Sequence, residues 1–219
     1  MGIEIDLLRN YPITKRDLSG RLEAKSIETR EIARKFGKDY FDGDRNYGYG
    51  GFTYNEKYWK NVIPDFVSRY KLDSSSKVLD VGCGKGFFIY DLIKAIPGIY
   101  CRGIDISSYA IENSMTEVKN NLLLGNAKSL PFEDNTFDLV ISINTVHNLV
   151  RPECGISLSE IERVSKGKSF ITVDAFRNEE EKERMEAWNL TALTMMSCSE
   201  WENFFREFGF NGDYYWFIP

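Results

Sequence analysis

The run Lys77-Val-Leu-Asp-Val81, followed by glycines at 82, 84 and 86, constrains this chain more than any other feature. A short apolar run that ends in alternating glycines reads as a buried strand entering a tight turn, whose backbone must take conformations closed to other residues. Helical spacing follows from Phe87 to Ile96 and stops at the breaker pair Pro97-Gly98. The pattern then repeats. Strands are expected at 100–104, 121–124, 137–142 and 168–173. Helices are expected at 107–119, with Ser107 as N-cap, and at 155–165. Strand and helix alternating at this spacing predict an α/β domain with a parallel sheet and right-handed crossovers.

The flanks differ from this middle part. Residues 1–70 read as an extension with helices near 18–36 and 56–70. Between them lies a glycine- and tyrosine-rich loop, Asp42-Gly-Asp-Arg-Asn-Tyr-Gly-Tyr-Gly-Gly-Phe52. Residues 71–219 make the α/β domain, and the 219-residue length suits a single globular unit. After the fifth strand, Asn178 with Glu179–Glu181 suits a helix start, and Ser197 with Glu200 and Ser199 with Glu202 form overlapping capping boxes for another. That helix should end at Gly209, before a last strand at 213–218. Only one strand follows Gly209, so six strands are expected unless a partner completes the sheet. An open edge strand is a liability, which keeps both a monomer and a homodimer in view.

Composition excludes several functions. The net charge is −5, so the basic footprint that nucleic acid requires is missing. Four cysteines without a CxxC pair and a single histidine do not make a structural zinc site, and no metal is expected. Reduced thiols fit a cytoplasmic protein. Residues 1–19 show no signal peptide, and no stretch has the length of a membrane span, so neither export nor a membrane partner is expected.

In an open parallel sheet, ligands bind beyond the carboxyl ends of the strands, where the glycine turn lies. A dinucleotide fingerprint fails because Phe87 stands where its third glycine belongs, and Asp80 precedes the glycines. That carboxylate disfavours a pyrophosphate but tolerates a cationic ligand, such as a sulfonium or an α-amino group. A phosphate-binding P-loop fails too, since no Gly-Lys-Ser/Thr follows. Asp105 ends the second strand, where a carboxylate can accept from both hydroxyls of a ribose. Gly125-Asn-Ala127 follows the third strand and offers an amide to an adenine edge, and Asn144 ends the fourth.

Leu79 to Gly86 matches, position for position, a hydrophobic residue followed by D-x-G-x-G-x-G, and Val78 to Val173 resembles the core of class I S-adenosylmethionine-dependent methyltransferases. The resemblance implies a Rossmann-like, doubly wound, mostly parallel sheet with helices on both faces, here carrying an N-terminal helical and loop lid. It implies S-adenosylmethionine as cofactor, held by Asp80, Gly82, Cys83, Gly84, Asp105, Ile106, Asn126, Ala127 and Asn144. It also implies a structural helix at Leu158–Val164. Many members carry Asp where this chain has Asn126, and an amide can still bond the adenine amino group.

Methyl transfer needs alignment and exclusion of water more than an electrophile, and an oxygen or nitrogen acceptor also needs a base. His147 reads as that base or as the residue that orders the loop beside Asn144. Tyr47, Tyr49 and Phe52 read as a lid whose tyrosine hydroxyls reach the reaction, or as an aromatic plug on the sheet edge. Arg45 beside them could grip an anionic substrate. Asp174 and Arg177 suit substrate binding or deprotonation as well as a surface salt bridge. Cys83 reads as a small residue against the main chain, and the stripe from Trp188 to Met196 as core or as substrate wall. The expected partner is a small polar metabolite, with sugars and their nucleotide derivatives among the candidates. A non-catalytic or different adenosyl-ligand protein on the same fold, and a protein methyltransferase, stand as alternatives.

Overall fold

A computed structural model describes residues 2–12, 16–50 and 53–219. The elements in chain order are α1 (Leu18–Ala24), α2 (Ile27–Arg34), α3 (Lys38–Asp42), α4 (Ile63–Tyr70), β1 (Lys77–Val81), α5 (Phe87–Ala95), β2 (Tyr100–Asp105), α6 (Ser108–Glu112), β3 (Leu122–Leu124), β4 (Leu139–Ile143), α7 (Arg151–Val164), β5 (Ser169–Phe176), α8 (Glu179–Trp188), β6 (Met196–Ser197), α9 (Cys198–Glu207) and β7 (Asp213–Phe217).

The sheet runs β3-β2-β1-β4-β5, and every named strand pair is parallel. Beyond β5, β7 pairs along residues 170–174 and the two-residue β6 along 175–176. The sheet thus has seven strands rather than the expected six, because β6 is too short to leave a sequence signal. The last strand is parallel because α9 carries the chain back across one face before it returns. One face of the sheet packs with α4 and α5, through Phe66, Phe88, Leu92 and Phe170. The other packs with α7 and α9, through Leu158, Ile161, Trp201 and Phe205. The doubly wound architecture implied by the motifs is what the chain adopts.

The outer edge of β7 is covered by the chain's own N-terminal segment. Ile5 N–H donates to Tyr214 O and Tyr214 N–H to Ile3 O, so this edge needs no second copy to satisfy it.

Four helix boundaries differ from expectation: the helix expected at 155–165 begins already at Arg151, beside Pro152 in its first turn, and the other three differ for equally local reasons. Residues 18–36 split into α1 and α2 because Ser26 starts a new helix, its side chain and that of Thr29 capping each other's backbone N–H groups. The helix expected at 56–70 begins only at Ile63, next to Pro64, which is favoured in a first turn. The helix expected at 107–119 stops at Glu112. There the Asn113 side chain donates to Tyr109 O and Ser114 Oγ to Ile111 O, and a 3-10 turn follows at Thr116–Asn121.

Candidate active site

At the carboxyl rim of the sheet the β1–α5 turn crosses onto β2. Gly82 N–H donates to Ile104 O at 2.7 Å, and Gly84 N–H donates to Asp105 Oδ2 at 2.7 Å. Gly82 has a φ of 86° and Gly84 one of 53°. A Cβ on Gly82 would lie 2.0 Å from Thr145 Oγ1, so the turn and the end of β4 can close together only around glycine. A Cβ on Gly84 would instead enter the open space toward the Phe41 ring, 3.6 Å from its nearest carbon.

That space is a cleft of about 850 Å³. Seven residues of the expected cofactor set line it: Gly82, Gly84, Asp105, Ile106, Asn126, Ala127 and Asn144. The Asp105 carboxylate accepts from Gly84 N–H and, through Oδ1, from Ser107 N–H at 2.8 Å. A carboxylate has about four acceptor positions, so each oxygen retains one for a ribose hydroxyl. Burial pushes this carboxyl up, and the backbone N–H groups of Ser107, Gly84 and Ile106 pull it back. Asn126 spends Oδ1 on Lys128 N–H, an Asx turn that fixes the loop. Asn144 stands in the left-handed region, with a φ of 53°. Thr172 holds it there: Asn144 N–H donates to Thr172 Oγ1, and that hydroxyl donates to Asn144 Oδ1. A strained residue braced this way at a cleft rim marks a site that needs its shape. These acceptors, the glycine cradle and the shape of the rim fit an adenosyl group.

Asp80 and Cys83 do not line the cleft. Asp80 lies inside β1, and its carboxyl is pushed up to about 8 by burial and by the charge of Asp105. Cys83 packs its sulfur into the core beneath the turn, against Gly103.

The N-terminal extension roofs the cleft. Tyr40, Phe41, Tyr49 and Gly50 line it. Asp42 at the end of α3 bonds Lys85 Nζ at 2.6 and 2.8 Å and accepts from Tyr109 Oη at 2.8 Å. Ser107 Oγ donates to Phe36 O at 2.5 Å. The roof is therefore latched to the glycine turn and to the start of α6. Tyr49 Oη accepts from Leu190 N–H at 2.6 Å and approaches Thr191 Oγ1, so its hydroxyl ties the roof to the segment after α8. Tyr47 is half-buried and does not line the cleft. Phe52, the third aromatic of the expected lid, lies outside the described residues.

His147 lines the cleft on a 3-10 turn, Val146–Asn148. Its Nδ1 accepts from Asp174 N–H at 2.9 Å. The neutral ring therefore carries its proton on Nε2, which faces Asp174 Oδ1 at 3.6 Å. Burial lowers the histidine and raises Asp174, and each charge opposes the other's shift. Asn189 Nδ2 donates to Asp174 Oδ2 at 2.7 Å. Asp174 also lines the cleft, so it faces the interior with both oxygens oriented by neighbours. With both ring nitrogens turned to Asp174, the imidazole has no free lone pair for a substrate.

Arg177 turns away from the site toward Glu181 and Glu4, as in the surface salt-bridge reading. The stripe from Trp188 to Met196 divides: Trp188 and Thr191 line the cleft, while Met196 joins the core. The sequence does not reveal that Arg16, Tyr40, Trp188 and Phe217 share one cleft, since they come from four separate segments: the stretch ahead of α1, then α3, α8 and β7. No group of His, Cys, Asp and Glu among the described residues could hold a metal ion, and no described helix is long and apolar enough to cross a membrane.

Residues 72–212 match the family described as methyltransferase domain. The demethylmenaquinone methyltransferase of Symbiobacterium thermophilum is 34% identical over 129 residues, 53% of this chain and 49% of that protein. The enzyme of the same name from Staphylococcus aureus is 32% identical over 156 residues, 68% of this chain and 60% of that protein. The chain thus spans less than two thirds of the length of either relative. A solved complex of the Haloferax volcanii Trm112 methyltransferase activator contains a chain that superposes with a TM-score of 0.54 at 23% identity, covering 69% of this chain and 67% of that one. That likeness is one of fold.

Proposed function

The chain belongs to the methyltransferase-domain family of S-adenosylmethionine-dependent enzymes, and from that premise we propose that it methylates an oxygen or nitrogen of a small polar metabolite. The observation that carries this reading is the cradle at the strand ends: Asp105, held by two backbone donors with acceptor capacity to spare, beside a glycine turn open toward the roof.

S-adenosylmethionine supplies, when bound, a methyl group already activated by its sulfonium. Asp105 would take the ribose hydroxyls, and the 125–127 turn and Ile106 would enclose the adenine. Tyr40, Phe41 and Tyr49 on the roof would exclude water, and the Asp42–Lys85 pair would hold that roof shut. Residues 1–70 then act as a lid on the 71–219 domain within one globular unit. Asp174 would accept the acceptor's proton. Its raised proton affinity suits a general base, and His147 and Asn189 orient its two oxygens as positioning residues.

The test is calorimetry with adenosylhomocysteine on the purified protein. Binding that Asp105→Ala weakens by about 100-fold supports the reading. Saturable binding that is indifferent to Asp105 overturns the assignment of the cradle, and no binding at all overturns the function.

A further inference from the structure

The half of the cleft away from the glycine turn carries a cation with no visible employment. Arg16 lines it with its guanidinium over the Phe217 ring at 4.8 Å and over the Trp188 ring at 5.6 Å. These contacts hold the guanidinium carbon over both rings. Its in-plane N–H groups, which match a carboxylate or phosphate two at a time, make no hydrogen bond among the described residues, and no described carboxylate pairs with it. The neighbouring charge that acts on it is another cation, Arg184. Arg21, by contrast, donates to Arg45 O and Gly48 O, and Arg34 to Thr191 O and Ala192 O.

A half-exposed guanidinium that spends no donor on the protein keeps its in-plane N–H groups available to a ligand that enters the cleft. Its position also places it beside the reaction. Phe217 is the register partner of Asp174 across β5 and β7, so both side chains leave the same face of the sheet. Trp188 directly precedes Asn189, which holds the Asp174 carboxylate.

The geometry points to an acceptor that carries an oxyanion group, a carboxylate or a phosphate, gripped by the guanidinium edge of Arg16 while its methyl-accepting atom faces Asp174. This rests on the methyltransferase reading and narrows its substrate class. Arg16 sets specificity; the wall of Trp188 and Phe217 fixes its fork.

The experiment measures probe binding to protein saturated with adenosylhomocysteine. Matched pairs are used: 4-hydroxybenzoate against 4-hydroxybenzamide, and glucose 6-phosphate against glucose. At least one charged probe should bind about tenfold or more tightly than its neutral counterpart, the size expected for hydrogen bonds to a charged group. Preference in the first pair assigns a carboxylate source, and preference in the second a phosphate. Arg16→Gln should erase the preference with adenosylhomocysteine affinity and thermal midpoint retained. Arg16→Lys, which keeps the charge without the planar fork, should recover only part of it. The inference is overturned if neither charged probe is preferred, or if Arg16→Gln leaves the preference intact. If adenosylhomocysteine itself fails to bind, the methyltransferase reading has failed first, and the two failures are told apart by that control.

Discussion

The two halves of the cleft are built by different means. The inner half is made of main chain and of side chains that end strands: Gly82 and Gly84 after β1, Asp105 at the end of β2, Asn126 after β3 and Asn144 after β4. Its groups are fixed by the sheet register, which sets Asp80 against Gly103 and Asp105 against Leu124. The outer half is made of side chains from segments far apart in sequence: Arg16 before α1, Tyr49 from the roof loop, Asp174 from β5, Trp188 from α8 and Phe217 from β7. The first half is a property of one sheet edge. The second exists only when the extension, the 188–194 segment and the last strand meet. A ligand common to a family suits the first, and a substrate particular to one chain suits the second.

The contrast can be broken at several points. The largest effect is expected from Asp174→Asn, in the outer half. It removes the proton acceptor and should lower kcat by about 10²–10⁴-fold while adenosylhomocysteine affinity stays put. In the native protein the rate should rise with pH through an ionisation above the ordinary aspartate range, because Asp174 must be deprotonated to act and burial raises its pKa. His147→Ala should disturb that profile and cost less than Asp174→Asn. An equal loss would return the base to the imidazole.

Asp105→Ala, in the inner half, should weaken adenosylhomocysteine binding by about 100-fold, since two hydrogen bonds to a charged group are lost. It should not alter the charged-over-neutral preference of probes in the outer half. If that preference falls in step, the halves are one site rather than two.

A third measurement probes the base of the cradle. Asp80 holds its proton in the folded state up to about pH 8, whereas an unfolded aspartate loses it near ~4. The folded state thus binds the extra proton between these values. Its contribution to stability is complete at low pH and lost as pH rises toward 8. Asp80→Asn should flatten that slope, and its denaturation midpoint should gain on the native protein's at pH 9 relative to pH 5. An unchanged slope would remove Asp80 from the account.

The smallest effect is expected at the seam between the halves. Asp42→Asn weakens the latch to Lys85 and loosens the Tyr109 contact. A partly buried pair of this kind contributes about 1 kcal/mol, so ligand release in stopped-flow should speed up by about fivefold.

The inner half was legible for a definite reason. A strand that must end at a ligand writes its chemistry into consecutive residues, so Leu79 to Gly86 and Gly103 to Ser107 announce both position and role. Even there, side-chain direction was not readable. Alternation along β1 and the packing of the turn put Asp80 and Cys83 under the rim rather than on it. In the outer half the residues were visible one at a time, but their grouping was not. His147 read as a base or as the residue that orders the loop beside Asn144, and only the folded chain brings its Nδ1 within reach of Asp174 N–H. Tyr49 fell on the cleft and Tyr47 did not, a difference set by the path of a glycine-rich loop.

Sequence alone determined the α/β alternation, the parallel sheet and the place of the glycine turn at its rim. Each follows from spacing within a few residues, where backbone geometry leaves little choice. Tertiary structure decided the parallel β7, the sealing of its edge by residues 3–5, the latch of Asp42 on Lys85 and the meeting of Arg16 with Phe217 and Trp188. Those contacts join segments up to about two hundred residues apart, and their partners are selected by packing of the whole chain rather than by any local preference.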